Sequence, residues 1–219
     1  MRHLFTYGPV PVDQIDRVPL KETEIGPVPQ HWEVIELKDI FKLSSGKPRP
    51  KEIWTKPEGD HIVPIYGGNG ILGYTTEVLT EDPTIVLGRV GEYCGSVYLT
   101  TCKAWISDNA LYMTELISRD IFLEYLTYCL IILDLNKYKK KSGQPLITQG
   151  IVYKKKIPVP PLDSQEQIIY FLKLVEQKLD IEETRKSTLQ SLFQTMLHLL
   201  MTGKVRVKDQ EVNVDAIGR

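Results

Sequence analysis

One segment near the C-terminus constrains the fold more than any other part of the chain. Residues 164–201 contain neither proline nor glycine, whereas Pro161 comes just before them and Gly203 just after. Proline cannot continue a preceding helix and glycine favours a helix end, so these boundaries match the two ends of one helix. Asp163, with an acid three residues later, resembles a capping box. We predict a helix over 163–201, roughly 57 Å long, which is too long to pack inside one small globule.

The apolar residues of this helix repeat with the 3.5-residue period of a coiled coil. Alternating steps of four and three residues give ten positions, of which eight are apolar and two, near the middle, are charged. The pattern predicts a seam against which a second helix packs. The seam positions are Ile168, Leu172, Val175, Leu179, Glu182, Lys186, Leu189, Phe193, Met196 and Leu200.

The two charged positions favour one orientation of the partner helix. If two copies run antiparallel about a two-fold axis near residue 184, Glu182 lies opposite Lys186 twice and every other layer pairs two apolar residues. A parallel pair would place glutamate against glutamate and lysine against lysine. The sequence therefore favours an antiparallel homodimer. A helix of another protein, or the chain's own globular domain, would also cover the seam.

The rest of the chain predicts a mixed α+β fold. Proline and polar residues dominate residues 1–29, which we expect to form an extended arm. A short helix is expected over 35–43, and another after Ser118 with its apolar residues on one face. Short apolar runs separated by turn residues are typical of β-strands. The four runs cover residues 61–66, 84–87, 96–101 and 110–114.

Charge is concentrated in one stretch of the chain. The totals, 27 Lys and Arg against 28 Asp and Glu, exclude bulk attraction to a polyanion, but residues 136–162 hold seven lysines and no acid. No apolar run reaches the roughly 20 residues that cross a bilayer. The N-terminus lacks the apolar core of a signal peptide. Three cysteines without CxxC spacing are typical of reduced thiols. We expect a cytoplasmic protein with no membrane segment and a local polyanion site.

Sequence motifs of the common enzyme classes are absent. The glycine-rich stretches 66–70 and 88–91 lack the GK[ST] ending of a phosphate-binding loop. There is no HExxH and no pair of cysteines with metal-ligand spacing. The Asn/Asp-Pro-Pro-aromatic tetrapeptide of amino-methyltransferases is also missing. We infer that the chain is not an enzyme and binds no metal.

The remaining polar signal favours nucleic-acid binding. Lysines make sequence-independent phosphate contacts, and Arg, Asn and Gln side chains read base edges. A lysine run is also typical of an ordinary solvated surface, and an Asn between two glycines is typical of a turn. The candidate DNA-binding residues are Lys47, Arg49, Lys51, Asn69, Arg89, Lys137, Lys139, Lys140, Lys141 and Gln144.

Motifs that flank the long helix resemble those of the specificity subunits of type I restriction–modification systems. Residues 157–168 read IPVPPLDSQEQI and residues 199–207 read LLMTGKVRV. The family pattern is roughly I-P-x-P-P-L-x-x-Q-x-x-I, then a helix, then L-L-x-T-G-K-x-R-V. The stretches IGPVPQHWEV at 25–34 and KSGQ at 141–144 are also similar to this family. Ser164 is a departure, since family members usually carry Glu there.

The resemblance implies a DNA-reading subunit that is not itself catalytic, within an adenine-N6 methyltransferase and restriction complex. Residues 30–157 would form the target recognition domain, 158–207 the conserved region with the dimerising helix, and 208–219 a tail. Double-stranded DNA, methyltransferase subunits and a restriction motor subunit would be the partners. S-adenosylmethionine, ATP and Mg²⁺ would be bound by those subunits and not by this chain.

The number of domains implied by the resemblance bears on the assembly. A usual specificity subunit has two recognition domains and two conserved helices, whereas this sequence has one of each, as in a half-size subunit. A homodimer would then read an interrupted palindrome. Two other functions stay open, namely a recognition module for a different methyltransferase or endonuclease, and a coiled-coil assembly protein without a DNA role.

Overall fold

The computed structural model describes residues 2–138 and 145–205, and they form two compact units, one up to Tyr170 and one from Phe171 onward. The helices are α1 (Arg2–Tyr7), α2 (Leu37–Ile40), α3 (Leu123–Leu133), α4 (Gln149–Tyr153) and α5 (Leu162–Met201), with 3-10 turns at Val12–Arg17 and Leu135–Tyr138. The strands are β1 (Leu20–Lys21), β2 (Val28–Pro29), β3 (Glu33–Glu36), β4 (Phe41–Ser45), β5 (Val63–Gly67), β6 (Gly70–Thr75), β7 (Ile85–Gly88), β8 (Val97–Leu99), β9 (Trp105–Ile106), β10 (Ala110–Leu116) and β11 (Lys156–Val159).

Two sheets form the centre of the first unit. One sheet has the order β4-β10-β7-β8 and is antiparallel throughout. The other has the order β6-β5-β9, in which β5 and β9 run parallel. Val86, Ala104, Ile106 and Ala110 form a buried cluster that joins β7, β9 and β10. The α+β prediction is confirmed, and strands β5, β7, β8 and β10 overlap the four predicted apolar runs.

The predicted helix over 35–43 is wrong for most of its length. Only Leu37–Ile40 is helical, because β3 ends before it and β4 begins directly after it. Within β4, Phe41 and Leu43 are buried while Lys42 between them is exposed, which is the two-residue period of a strand. Pairing of β4 with β10, far along the chain, decides the conformation here.

The two ends of residues 3–29 are packed, which corrects the expectation of an extended arm for them, whereas residues 11–27 are mostly exposed. Phe5 on α1 is 8% exposed and stacks on Tyr125 with ring centroids 5.4 Å apart. Strands β1 and β2 pair antiparallel, and Val28 is buried. The prolines of this region limit regular structure, and other apolar residues here, such as Val12 and Leu20, remain exposed.

Helix α3 begins later than predicted. Its buried face includes Tyr125, Leu126, Cys129 and Leu130, as the apolar spacing indicated. Ser118 does not cap it, because the residue preceding the helix is Phe122, in an extended conformation. The Ser118 hydroxyl instead accepts a hydrogen bond from the Asp120 amide at 3.4 Å.

Helix α5 confirms the long C-terminal helix, with its first residue one position before the predicted start. The Pro161 carbonyl accepts hydrogen bonds from the amides of Ser164 and Gln165, so Asp163 lies in the first turn and not at the cap. Gly203 ends the helix with φ of +69° and donates to the Leu200 carbonyl. Among the residues described, no helix combines the length and the apolar character needed to cross a membrane.

Candidate nucleic-acid interface

Three glycine-containing segments meet at the turn between β9 and β10, which spans residues 107–109. The Gly46 amide donates to the Ala110 carbonyl at 3.0 Å, and a Cβ at Gly46 would clash with the Ser107 carbonyl. A Cβ at Gly88 would lie 2.8 Å from the Gly68 carbonyl oxygen. Both glycines are therefore required for close approach of one backbone to another. The glycine-rich stretches serve packing, and this packing brings the predicted polar residues of three segments together.

The first of two clefts beside this turn holds two of the predicted DNA-binding residues. Arg49 and Asn69 line a cleft of about 270 Å³ together with Asn109, which the sequence analysis missed. The Asn109 carbonyl accepts a hydrogen bond from the Arg89 amide at 3.0 Å. The turn that contains Asn109 is therefore hydrogen-bonded to the turn that contains Arg89. The remaining lining residues are Gly68, Leu72, Val90 and Tyr93.

The second cleft lies on the other side of the 88–91 turn and contains Arg89. The Arg89 Nη1 donates to the Ser45 hydroxyl at 3.0 Å, whereas its buried Nε has no hydrogen-bond partner among the described residues. The cleft has a volume of about 240 Å³. Its lining residues are Ser45, Arg89, Leu111, Thr148, Gln149 and Gly150.

The basic loop that follows β4 is held by its backbone while its charged groups are exposed. The Lys47 amide donates to the Ile106 carbonyl at 2.9 Å. The side chains of Lys47, Arg49 and Lys51 are exposed, and within residues 2–138 and 145–205 none of them forms an ion pair. These three cations are available to a polyanion. Arg49 also joins this loop to the first cleft.

The lysine-rich stretch 136–162 is partly neutralised by acids from other segments. Lys137 pairs with Asp134 at 3.0 Å. Lys156 bonds the Glu24 carboxylate at 2.8 Å, and this hydrogen bond raises the pKa of Lys156. Lys155 lies 3.2 Å from the centre of the Tyr138 ring, and burial lowers the pKa of Lys155. The remaining predicted residues here lie outside the described residues, namely Lys139, Lys140, Lys141 and Gln144.

The predicted seam of α5 divides into a buried and an exposed part. Ile168 is fully buried within the first unit and Leu172 is 4% exposed. The apolar seam residues from Val175 to Leu200 are each at least 40% exposed. Ile168 and Leu172 already have their apolar surface covered inside their own chain, which leaves little of either for the two outermost predicted layers. The exposed seam residues are Val175, Leu179, Leu189, Phe193, Met196 and Leu200.

The charged centre of the seam lies in a shallow groove along α5. Glu182 and Lys186 line this groove with Leu189 and Phe193. Glu182 also lies 3.9 Å from Arg185, one turn further along the helix. Both charged groups predicted for the central layer are therefore on the surface of the second unit.

Gln165 is a positioning residue that the sequence analysis quoted only as part of a motif. Its side chain has no exposed surface. The Oε1 accepts from the Phe122 amide at 2.9 Å, and the Nε2 donates to the Asp120 and Pro160 carbonyls at 2.8 Å each. One amide group thus joins the first turn of α5 to the segment before α3. The motif position was visible in the sequence, but its bonds to Phe122 and Asp120, 43 and 45 residues away, were not.

The cysteines differ in exposure, and potential metal ligands are not clustered in the described part of the chain. Within that part, no group of three or more His, Cys, Asp or Glu side chains is placed to hold a metal ion. Cys94 and Cys129 are buried, and burial raises the pKa of the Cys129 thiol well above its usual range. Cys102 is exposed.

Comparison with known proteins places these features in a family. The chain is 23% identical over 250 residues to the type I restriction enzyme MjaVIII specificity subunit of Methanocaldococcus jannaschii, an alignment that covers 95% of this chain and 53% of that protein. It is 28% identical over 137 residues to the type I restriction enzyme EcoprrI specificity subunit of Escherichia coli, covering 62% of this chain and 34% of that protein. The chain thus spans about half the length of these relatives, or less.

The fold agrees with this similarity. The crystal structure of a type I restriction–modification system S subunit from M. genitalium superposes with a TM-score of 0.62 at 23% identity, over 77% of this chain and 45% of that one. The resemblance inferred from the motifs around α5 is therefore confirmed. Residues 29–191 match the family described as the type I restriction modification DNA specificity domain, and the chain belongs to that family.

Proposed function

We propose that this chain reads DNA sequence for a type I restriction–modification system. One observation carries the proposal: Arg49, Asn69 and Asn109 share one cleft, and Arg89 lies in a second cleft across a single turn. Arginine and asparagine are the side chains that bond guanine and adenine edges in the major groove. Separate segments of the first unit bring these side chains to the two clefts.

Phosphate contacts would come from the adjoining basic loop. Lys47, Arg49 and Lys51 are exposed and have no acid within ion-pair distance in the described part of the chain. Such cations bind any sequence through the phosphates and set the position of the protein on the duplex. Lys139, Lys140 and Lys141 would extend this contact. Lys137 would have to exchange its contact with Asp134 for a phosphate.

The exposed seam supports an antiparallel homodimer. Large apolar side chains such as Val175 and Phe193 are 56% and 67% exposed, and burying them against a second helix would be favourable. In the two-fold arrangement Val175 meets Phe193, Leu179 meets Leu189, and Glu182 meets Lys186. These central layers use only exposed residues, so the burial of Ile168 leaves them unchanged.

A two-fold dimer would present two identical recognition domains to DNA. Identical halves related by a two-fold axis require an interrupted palindrome, with half-sites about one helical turn (~34 Å) or slightly more apart. The helix pair would set that spacing. If the partner helix belonged to a different specificity chain, the site would be bipartite and asymmetric.

Partner subunits would supply the chemistry. A second apolar stripe on α5 runs beside the seam and would accept a further protein, in our proposal the methyltransferase subunits. S-adenosylmethionine, ATP and Mg²⁺ would be bound by the methyltransferase and motor subunits in the cytoplasm, and this chain would not be catalytic. The exposed residues of the second stripe include Phe171, Leu174, Ile181 and Leu192.

The salt dependence of DNA binding tests the proposal. We expect replacement of Lys47, Arg49 and Lys51 by Ala to weaken binding to all duplexes and to reduce the slope of log K against log salt by roughly 0.9 per lost contact. Replacing Lys38 and Lys42 is the matched control, because Glu36 and Glu115 already neutralise them. An unchanged slope in the triple variant would contradict the assignment. No salt-sensitive binding by the parent chain would favour a coiled-coil assembly role instead.

A further inference from the structure

We propose that Gln149 is a specificity-determining residue that reads a base edge next to the one read by Arg89. The inference rests on the proposed DNA-reading function and adds a residue to it. Gln149 and Arg89 line the same cleft, together with Ser45. They come from sequence positions 60 residues apart, on α4 and on the turn after β7.

Backbone hydrogen bonds fix Gln149 relative to Arg89. The Ile147 amide donates to the Arg89 carbonyl at 2.9 Å, and the Gly91 amide donates to the Pro145 carbonyl at 3.1 Å. Residues 145–147 therefore run alongside the 89–91 turn as an added antiparallel segment. Gln149 lies two positions after Ile147. The hydrogen bonds between residues 145–147 and the 89–91 turn therefore fix the backbone position of Gln149 relative to Arg89.

A third attachment comes from β4. The Leu43 amide donates to the Tyr153 hydroxyl at 2.7 Å, which ties α4 to the strand that ends in Ser45. The walls of the cleft thus come from segments that are bonded to one another. Because these segments are bonded to one another, the backbone that carries Gln149 loses little conformational freedom when DNA binds. Such rigidity favours discrimination between bases.

Arg89 is already oriented within this cleft. Its Nη1 donates to the Ser45 hydroxyl at 3.0 Å, and its buried Nε has no hydrogen-bond partner in the described part of the chain. Guanine offers two acceptors, O6 and N7, on one edge, and these fit a guanidinium group.

Gln149 has the complementary chemistry for a neighbouring base. A glutamine amide bonds the N6 and N7 atoms of adenine in two hydrogen bonds. Its side chain is partly exposed, and the space beside Gly150 is open, since a Cβ there would meet no atom within 4 Å. A base edge can therefore approach the amide. The ligand class is the major-groove edge of two adjacent base pairs.

Binding selection on randomised duplexes tests the inference, with the complete chain bound to its methyltransferase subunits. We expect Gln149→Ala to relax the preference at one base pair of each half-site by roughly tenfold, while the other positions keep theirs. Arg89→Ala should relax the adjacent pair. Gln177→Ala, on the exposed surface of α5, is the matched control and should change no position.

A second variant separates base reading from a structural effect. Gln149→Glu keeps the size of the side chain but offers only acceptors, so the preferred base should change from adenine towards cytosine. A loss of affinity that is equal for all sequences, or an unchanged preference in both variants, would overturn the inference. If the parent complex itself selects no sequence, the proposed function fails and the inference fails with it.

Discussion

Gln165 shows how a single side chain can define the geometry of the motif that precedes α5. Its amide bonds a donor and two acceptors that belong to the segment before α3 and to the proline run before α5. A buried amide that satisfies three backbone groups is hard to replace, because an apolar residue of similar size leaves all three without partners. The motif glutamine is therefore explained by structure without a contact to DNA.

Replacing Gln165 tests this account at the residue scale. We expect Gln165→Leu to lower the free energy of unfolding by about 3 kcal/mol, as three hydrogen bonds of roughly 1 kcal/mol each are lost. Gln167→Leu, two residues further along the same helix and exposed, should change it by less than about 0.5 kcal/mol. Urea unfolding followed by circular dichroism gives both values. Equal effects in the two variants would mean that the Gln165 bonds contribute nothing specific.

At the scale of elements, local signals predicted some segments well and others poorly. Helix α5 was predictable because proline and glycine delimit it and a 3.5-residue period runs between them. Strand β7 was predictable because the short apolar run at 84–87 is bounded by a proline and a glycine, and the structure places Ile85–Gly88 in a buried strand. Strand β4 was not, because its short alternating sequence also fits one turn of helix and distant pairing with β10 decides between them.

The approach of two glycine-containing turns gives an element-scale prediction. A Cβ at Gly88 would clash with the Tyr93 carbonyl and lie 2.8 Å from the Gly68 carbonyl oxygen, so we expect Gly88→Ala to cost about 2 kcal/mol of stability. Gly150→Ala is the control, since its Cβ would enter open space. Thermal unfolding compares the two. If Gly88→Ala were as stable as the parent chain, the turns that contain Gly68 and Gly88 could move apart at no cost, which would contradict this prediction.

The charged centre of the seam gives the second element-scale prediction. Glu182→Lys would place like charges in the central layer, and we expect the dimer dissociation constant to rise roughly tenfold. Adding Lys186→Glu exchanges the positions of the positive and negative charges in the central layer. Opposite charges then face each other again, and dimerisation should be restored. Sedimentation of the single and double variants measures both effects. A Glu182→Lys chain that dimerises as tightly as the parent would rule out the antiparallel register.

At the scale of the whole molecule, the candidate site was predictable only in part. Arg49, Asn69 and Arg89 were identified by residue type, and the structure brings them to two neighbouring clefts. Asn109 and Gln149 were not, because nothing in their local sequence distinguishes them from ordinary turn and helix residues. Membership of the site follows from tertiary contacts, such as the bond between the Ile147 amide and the Arg89 carbonyl. Residue type therefore suggests which side chains could bind DNA, and the tertiary structure shows which of them lie together.

The most direct test of the central claim is a map of N6-methyladenine in the host genome, with and without the gene for this chain. The host must express the partner methyltransferase, which is verified by methylation in the parent strain. Our account predicts that deletion removes methylation at one interrupted palindrome and that returning the gene restores it. Loss at an asymmetric bipartite site would retain the specificity role but contradict the homodimer. Methylation that is unchanged by the deletion would contradict the proposed function.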